Sequence, residues 1–329
     1  MSAISIDALL GIFATAILPI VAIAAAGFVL GRSKDVDAGP LNTITIYVLV
    51  PALVFHTLVT TPLSGGTVLL VAVGVVAFTT VMVLLAGGTG RLAGRTEPLL
   101  GAFVLAGAFS NAGNFGIPLS EFAFGATGRS TAVLYAAVQG VLLYTVGTYV
   151  AARGSASAFA GVKRAAKIPL VYAVIVALAV RWLGLAPPVD SAAMSTLQLV
   201  GDSSIPVMLL ILGIQLSGTN YGAALRGVLV PNALKLAVAP AVGAAIAMLF
   251  SSTLVPLGFE NPTVARVFVL ECAAPSAVTP IILVGEFSER GDGPVSPSEF
   301  ASTAILTSTL LSIPILTVLI ALLRAGVIV

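Results

Sequence analysis

Ten apolar runs follow one another along this chain, each about the 20 residues a helix needs to cross hydrocarbon. They lie near 8–30, 40–60, 67–89, 98–125, 129–151, 168–185, 194–217, 223–250, 263–287 and 300–323. Only 9% of the 329 residues are charged and 58% are hydrophobic, whereas soluble domains carry about 25% charged residues. A chain with so little charge cannot cover a water-facing surface. Hydrocarbon in turn admits only segments that satisfy their own backbone, and for runs of this length that means helices. The expected fold is an all-α integral membrane protein with no soluble domain. The opening MSAISIDALL lacks the basic stretch of a cleavable signal, so the first run is read as a retained span.

Two of the runs are built to stop being helices. In Phe103–Phe124, FVLAGAFSNAGNFGIPLSEFAF, the residues Asn111, Gly113, Asn114, Gly116 and Pro118 crowd the middle. Gly and Pro cost a helix interior about 1 and 3 kcal/mol, and Pro also frees a carbonyl one turn earlier. Val267–Phe287 repeats the device with Pro275 and Pro280. Freed backbone groups are tolerated at membrane depth only where protein or a water-lined cavity satisfies them. Paired broken helices in corresponding places point to the binding site of a secondary transporter.

The polar stretch Arg153–Lys167 separates two sets of five runs, giving a first repeat over 1–151, a cytoplasmic linker over 152–167 and a second repeat over 168–329. Pro51 in the second run matches Pro206 in the seventh, and the broken fourth and ninth correspond. An odd number of spans per repeat inverts the second relative to the first. Arg32, Lys34, Arg91, Arg95, Arg153, Lys163, Arg164, Lys167, Arg226 and Arg290 fall on one side. Arg129, Arg181, Arg266 and Arg324 fall on the other, and Lys235 lies inside a run. Positive residues mark the cytoplasmic side, so both termini are expected outside a cell (plasma) membrane.

With one cysteine (Cys272) and one histidine (His56), disulfide frameworks and Cys/His metal sites are not expected. Neither a cofactor nor a catalytic residue is expected. An intramembrane protease would need a Ser/His pair, paired Asp or HExxH, and His56 is followed by Thr57. No basic run suggests nucleic acid. A channel would need a repeated selectivity-filter loop, which is not apparent.

FSNAGNFGIPLSEFAFG and AAPSAVTPIILVGEF, with LPIVAIAAAGFVLGR and YVLVPALVF earlier, resemble the corresponding spans of the auxin efflux carrier (PIN-like) family. The resemblance covers essentially the whole chain. It implies ten spans in two inverted five-span repeats, with spans 1, 2, 6 and 7 as scaffold and spans 3–5 and 8–10 as a mobile, elevator-type transport domain. It also implies a small organic anion as substrate, auxin-like or a dicarboxylate, and a homodimer. A sodium-coupled bile-acid-type organic anion symporter shares the expected architecture and is the alternative.

At a crossover of broken helices, half-helix N-termini each carry about half a positive charge, which suits a carboxylate. Asn111 is the expected donor to it, and Asn114 either caps a helix end or faces the ligand. Ser276 and Thr279 are further candidates. Pro118, Pro275 and Pro280 are read as the residues that make the breaks. Ionisable groups at mid-bilayer cost at least about 2.5 kcal/mol, which singles out Lys235 with Glu271, Glu121 and Asp202 as its possible counter-charges or coupling groups. Among these, Glu271 is the favoured partner, and Lys235 is expected to take the place of a coupling cation.

Overall fold

The computed structural model describes residues 5–61, 63–152, 163, 166–218, 225–251, 258–279, 283–284 and 295–329. Among these residues the regular structure is helical apart from one isolated β-bridge. Among the described residues, seven helices are long and apolar enough to cross a membrane: α1 (Ile6–Lys34), α2 (Ala38–Thr60), α3 (Gly65–Leu92), α5 (Ala112–Ala151), α7 (Ala192–Ser217), α8 (Leu229–Phe250) and α10 (Pro297–Arg324). Shorter helices α4 (Leu99–Ala108), α6 (Pro169–Trp182) and α9 (Pro262–Ala273) lie between them. Large apolar side chains cover the outside, Leu84 at 69% and Tyr47 at 63% exposure among them. A water-facing protein would hide these groups, so the surface is one for lipid.

Helix α5 is two limbs. Gly125 takes φ 64° and ψ −147°, a left-handed conformation that costs a residue with a Cβ but not glycine. Residues 120 and 128 of a continuous helix would be about 12 Å apart. Here a Cβ added to Gly128 would fall 2.0 Å from the Ser120 carbonyl oxygen, so the chain doubles back at Gly125. The limbs 112–124 and 126–151 run side by side without a loop.

Prolines inside the helices widen single turns. The stretches Phe13–Ile17, Thr45–Leu49, Ala112–Gly116 and Leu234–Val238 are π-helical, and each ends two residues before a proline: Pro19, Pro51, Pro118 and Pro240. Proline offers no N–H and its ring pushes away the carbonyl four residues back. The N–H just before it then reaches one residue further, as Ile117 does to Ala112 and Ala239 to Leu234. The fifth such turn, Leu143–Gly147, has no proline after it, and nothing in its surroundings explains it.

Two packed groups result. Helices α1, α2, α6 and α7 pack on one another, most extensively α1 on the 204–217 part of α7. There glycines allow contact between backbones: a Cβ on Gly213 would lie 1.9 Å from the Ala24 carbonyl oxygen, and one on Gly27 2.2 Å from that of Leu210. Small residues at such crossings are how membrane helices approach closely. Helices α3, α4, α5, α8, α9 and α10 form the second group, joined through α5 on α9 and α3 on α4.

Candidate functional site

The site is built where α4 ends before α5 and where α9 ends. Both helices leave the helical state, at 109–111 and 274–276, and the two stretches meet. Ser110 and Ser276 face each other in an antiparallel bridge. Asn111 N–H donates to the Pro275 carbonyl at 2.7 Å, and Ala277 N–H to the Phe109 carbonyl at 3.0 Å. Each break thus supplies the backbone partners that the other lacks, which is what membrane depth demands.

The remaining polar groups of the bridge are met by side chains. Gln139, on the second limb of α5, accepts from Ser110 N–H at 3.2 Å and donates to the Ser110 carbonyl at 2.6 Å. Its amide acts as a third strand. On the other side, Ser276 N–H donates to Ser308 Oγ of α10 at 3.1 Å. The hydroxyls are reciprocal as well. Ser276 Oγ donates to the Ala106 carbonyl at 2.7 Å, and Ser110 Oγ to the Cys272 carbonyl at 3.4 Å, each acceptor lying four residues before the opposing serine. These carbonyls belong to the last turns of α4 and α9, which have no intrahelical donors.

Lys235 lies beneath the bridge with 0% exposure. Its ammonium donates to Ser110 Oγ at 2.6 Å and to the Cys272 carbonyl at 2.8 Å, and faces the Phe78 ring, 5.5 Å from the centroid. Three N–H directions therefore meet two oxygens and an aromatic face. The positive charge rests against the negative end of α9. The expected pairing with Glu271 is not made. Glu271, also fully buried, accepts from Ser120 Oγ at 2.6 Å, while its Oε2 has no hydrogen-bond partner and presses on Gly116. The ion pairs among the described residues are both made by Arg129, with Glu121 and with Asp202. Those two carboxylates thus serve Arg129 and not Lys235. Lys235 makes no ion pair with any of the three, its donor directions being met by two neutral oxygens and the Phe78 ring.

A cavity of about 510 Å³ lies against the bridge between the two groups. Its inner end is formed by Ser110, Asn111, Gly113, Asn114 and Ala277, and Thr279 borders it. Asn42 near the start of α2, Lys167 and Pro169 at α6, and Tyr144 and Gln215 late in α5 and α7 surround the other end. Asn111 is 5% exposed, and its Nδ2 is buried with no hydrogen-bond partner. An unmet buried amide donor costs about 1–3 kcal/mol, which makes Asn111 the candidate donor to a bound acceptor. Asn114 and Gly113, in the first turn after the break, are half-buried at the same end.

The structure divides the remaining candidates. Ser276 is fully buried and its hydroxyl is spent on Ala106, away from the cavity. Pro275 is in the break and gives its carbonyl to Asn111. Pro118 is not: it lies in the helix after the break, where it widens the turn 112–116. Pro280 and most of the linker 152–167 are outside the described residues. Gln139 was not singled out by sequence, although it is the one amide in the run 129–151, and that isolation was a usable signal. Arg129, expected at the start of the run 129–151, lies on the helical limb that follows the turn at Gly125.

An all-helical, multi-pass membrane protein whose broken helices set amide and hydroxyl side chains at the end of a largely apolar cavity falls in the class of membrane transporters. The chain belongs to the family described as membrane transport protein, whose model matches residues 12–160 and 155–320, the same auxin efflux carrier (PIN-like) family that its sequence resembles. It is also similar to an uncharacterized transporter of Methanothermobacter thermautotrophicus, 25% identical over 290 residues, covering 87% of this chain and 89% of that one.

Proposed function

We propose that this chain is a secondary transporter of small organic anions that works by alternating access. The observation that carries the reading is the unpartnered Asn111 amide at the inner end of the cavity, beside the first-turn N–H groups of the limb 112–124. Free N–H groups with the positive end of a helix dipole suit a carboxylate. Lys235 adds a positive charge one shell behind, through Ser110. The expected arrangement is ten spans in two inverted five-span repeats, because α5 and its fold at Gly125 supply the end of span four and all of span five. The reciprocal serine contacts across the bridge support a two-fold relation between the halves. In this reading α1, α2, α6 and α7 are the scaffold, and the second group is the moving body of an elevator. The cavity is then open to the cytoplasm, since Lys167 marks that side. A plasma-membrane homodimer with both termini outside completes the proposal.

Binding of a panel of small organic acids to purified protein, with indole-3-acetate and malate included, tests the reading. Asn111→Ala is expected to weaken the acid that binds by about one to two decades, the worth of one hydrogen bond to a charged group. Unchanged affinity in a folded variant would remove Asn111 from the site. The sodium-coupled symporter is less favoured because the Lys235 ammonium already stands at the negative end of α9. Transport by the unmodified protein in sodium-free liposomes is the expected outcome, and a strict sodium requirement would reverse the choice.

A further inference from the structure

Arg129, Glu121 and Asp202 form a three-residue ion cluster away from the cavity, and the chain positions fix where it is. On the first limb of α5, Glu121 lies four residues, about 6 Å, beyond the cavity residue Ile117. On the second limb, Arg129 lies about 10 Å before Ala136, and on α7 Asp202 lies about 9 Å before Met208, both of which also line the cavity. These elements approach the cluster from separate directions of the chain and meet there. The cluster therefore sits past the inner end of the cavity, on the side opposite Lys167 and Asn42.

Its members do not belong to one body. Arg129 and Glu121 are on the two limbs of α5, in the group that contains the paired breaks. Asp202 is on α7, in the group of α1, α2 and α6. Arg129 Nη1 donates to Asp202 Oδ1 at 2.6 Å, and Nη2 to Glu121 Oε1. The guanidinium fork is thus held from its own group by Glu121 and presented across the gap to Asp202. Of the two ion pairs among the described residues, Arg129–Asp202 alone joins the groups. The other basic residues expected on this side stay within their own group: Arg181 donates to the Thr61 carbonyl, Arg324 to that of Ala123 and Arg266 to that of Val329. His56 on α2 lies within electrostatic range of both Arg129 and Asp202.

We propose that Arg129–Asp202 is a latch that holds the two groups together behind the cavity, and that it must open for the cavity to face the other side. Glu121 keeps Arg129 in position so that the latch can reform. The proposal rests on the alternating-access reading, but its test uses no substrate, so failure to find an anion that binds leaves the test unaffected.

The experiment is a spin-label distance measurement on detergent-purified protein, with labels at Ala126 and Ser195, both exposed near the cluster. The unmodified protein is expected to give a dominant short-distance population with a minor longer-distance one. Asp202→Asn, which keeps shape and removes charge, is expected to raise a longer-distance population roughly fivefold, the scale for a partly exposed pair. Asp202→Glu should restore the short population, and Glu121→Gln should give a smaller rise. Raising ionic strength from about 0.01 to 1 M shortens the screening length from about 30 to 3 Å. It should mimic Asp202→Asn in the unmodified protein and add little to the variant. Superimposable distributions for Asp202→Asn and the unmodified protein at both salt levels would overturn the latch. So would an Asp202→Glu variant that behaves as the asparagine one does, since that outcome would mark a packing effect at position 202.

Discussion

Lys235 and Ser110, 125 residues apart in the chain, share a 2.6 Å hydrogen bond that is buried from solvent. The ammonium holds the serine of one break and the terminal carbonyl of the other helix at once. Lys235→Met is the variant of similar length that removes both bonds. It leaves two buried acceptors without that donor, at about 1–3 kcal/mol each. Thermal unfolding in detergent should show a clear loss of stability, and an unchanged midpoint would mean that the ammonium is not what holds the breaks together.

Gly116 faces the Glu271 carboxyl so closely that an added Cβ would fall 2.1 Å from Oε2. Overpacking a filled interior costs about 1–3 kcal/mol. Gly116→Ala should therefore destabilise the protein, and Glu271→Ala in the same chain should recover part of the loss by making room. Additive losses in the double variant would show that the two positions do not compete for space.

Gln139 satisfies both backbone groups of Ser110. Gln139→Leu should leave them unmet and speed amide exchange in the segment 105–112, with α3 unaffected. Gln139→Glu keeps an acceptor for the N–H and loses the donor to the carbonyl, so an intermediate rate is expected. Exchange equal to that of the unmodified protein in both variants would count against the third-strand role.

Orientation can be read with single cysteines at exposed positions. A cysteine at Lys167 or Gly218 should react with an impermeant reagent from the cytoplasmic side, and one at Ala126 from outside. Cys272 is buried and should contribute little background. Reaction of the Ala126 variant from the cytoplasm would invert the topology and place the cavity mouth outside.

Much of this was legible in the sequence because hydrocarbon imposes few solutions. Apolar length located the helices, and clusters of Gly, Asn and Pro announced that two of them break. Where each break falls was not legible. It lies at 109–111, well before Pro118, because pairing with 275–277 decides it, and that partner is remote in sequence. The partner of Lys235 was also hidden. Counting charges suggests a carboxylate, but a helix end offers carbonyl oxygens that every residue has and no pattern displays. The tight join between the fourth and fifth runs was hidden for a simpler reason: one glycine, Gly125, in a left-handed conformation stands where a loop would be.

The cavity has two unlike walls. Asn111, Asn114, Gln139 and Thr279 belong to the body that contains the paired breaks, whereas Asn42, Thr45, Tyr47, Met208 and Gln215 belong to the other. In a carrier that slides one body past the other, the first wall travels with its cargo and the second is left behind. A substitution in the first wall then changes affinity by the same factor on both sides of the membrane. One in the second wall changes it on one side only. That difference sets at which face the carrier saturates first, and it leaves the final concentration ratio across the membrane untouched.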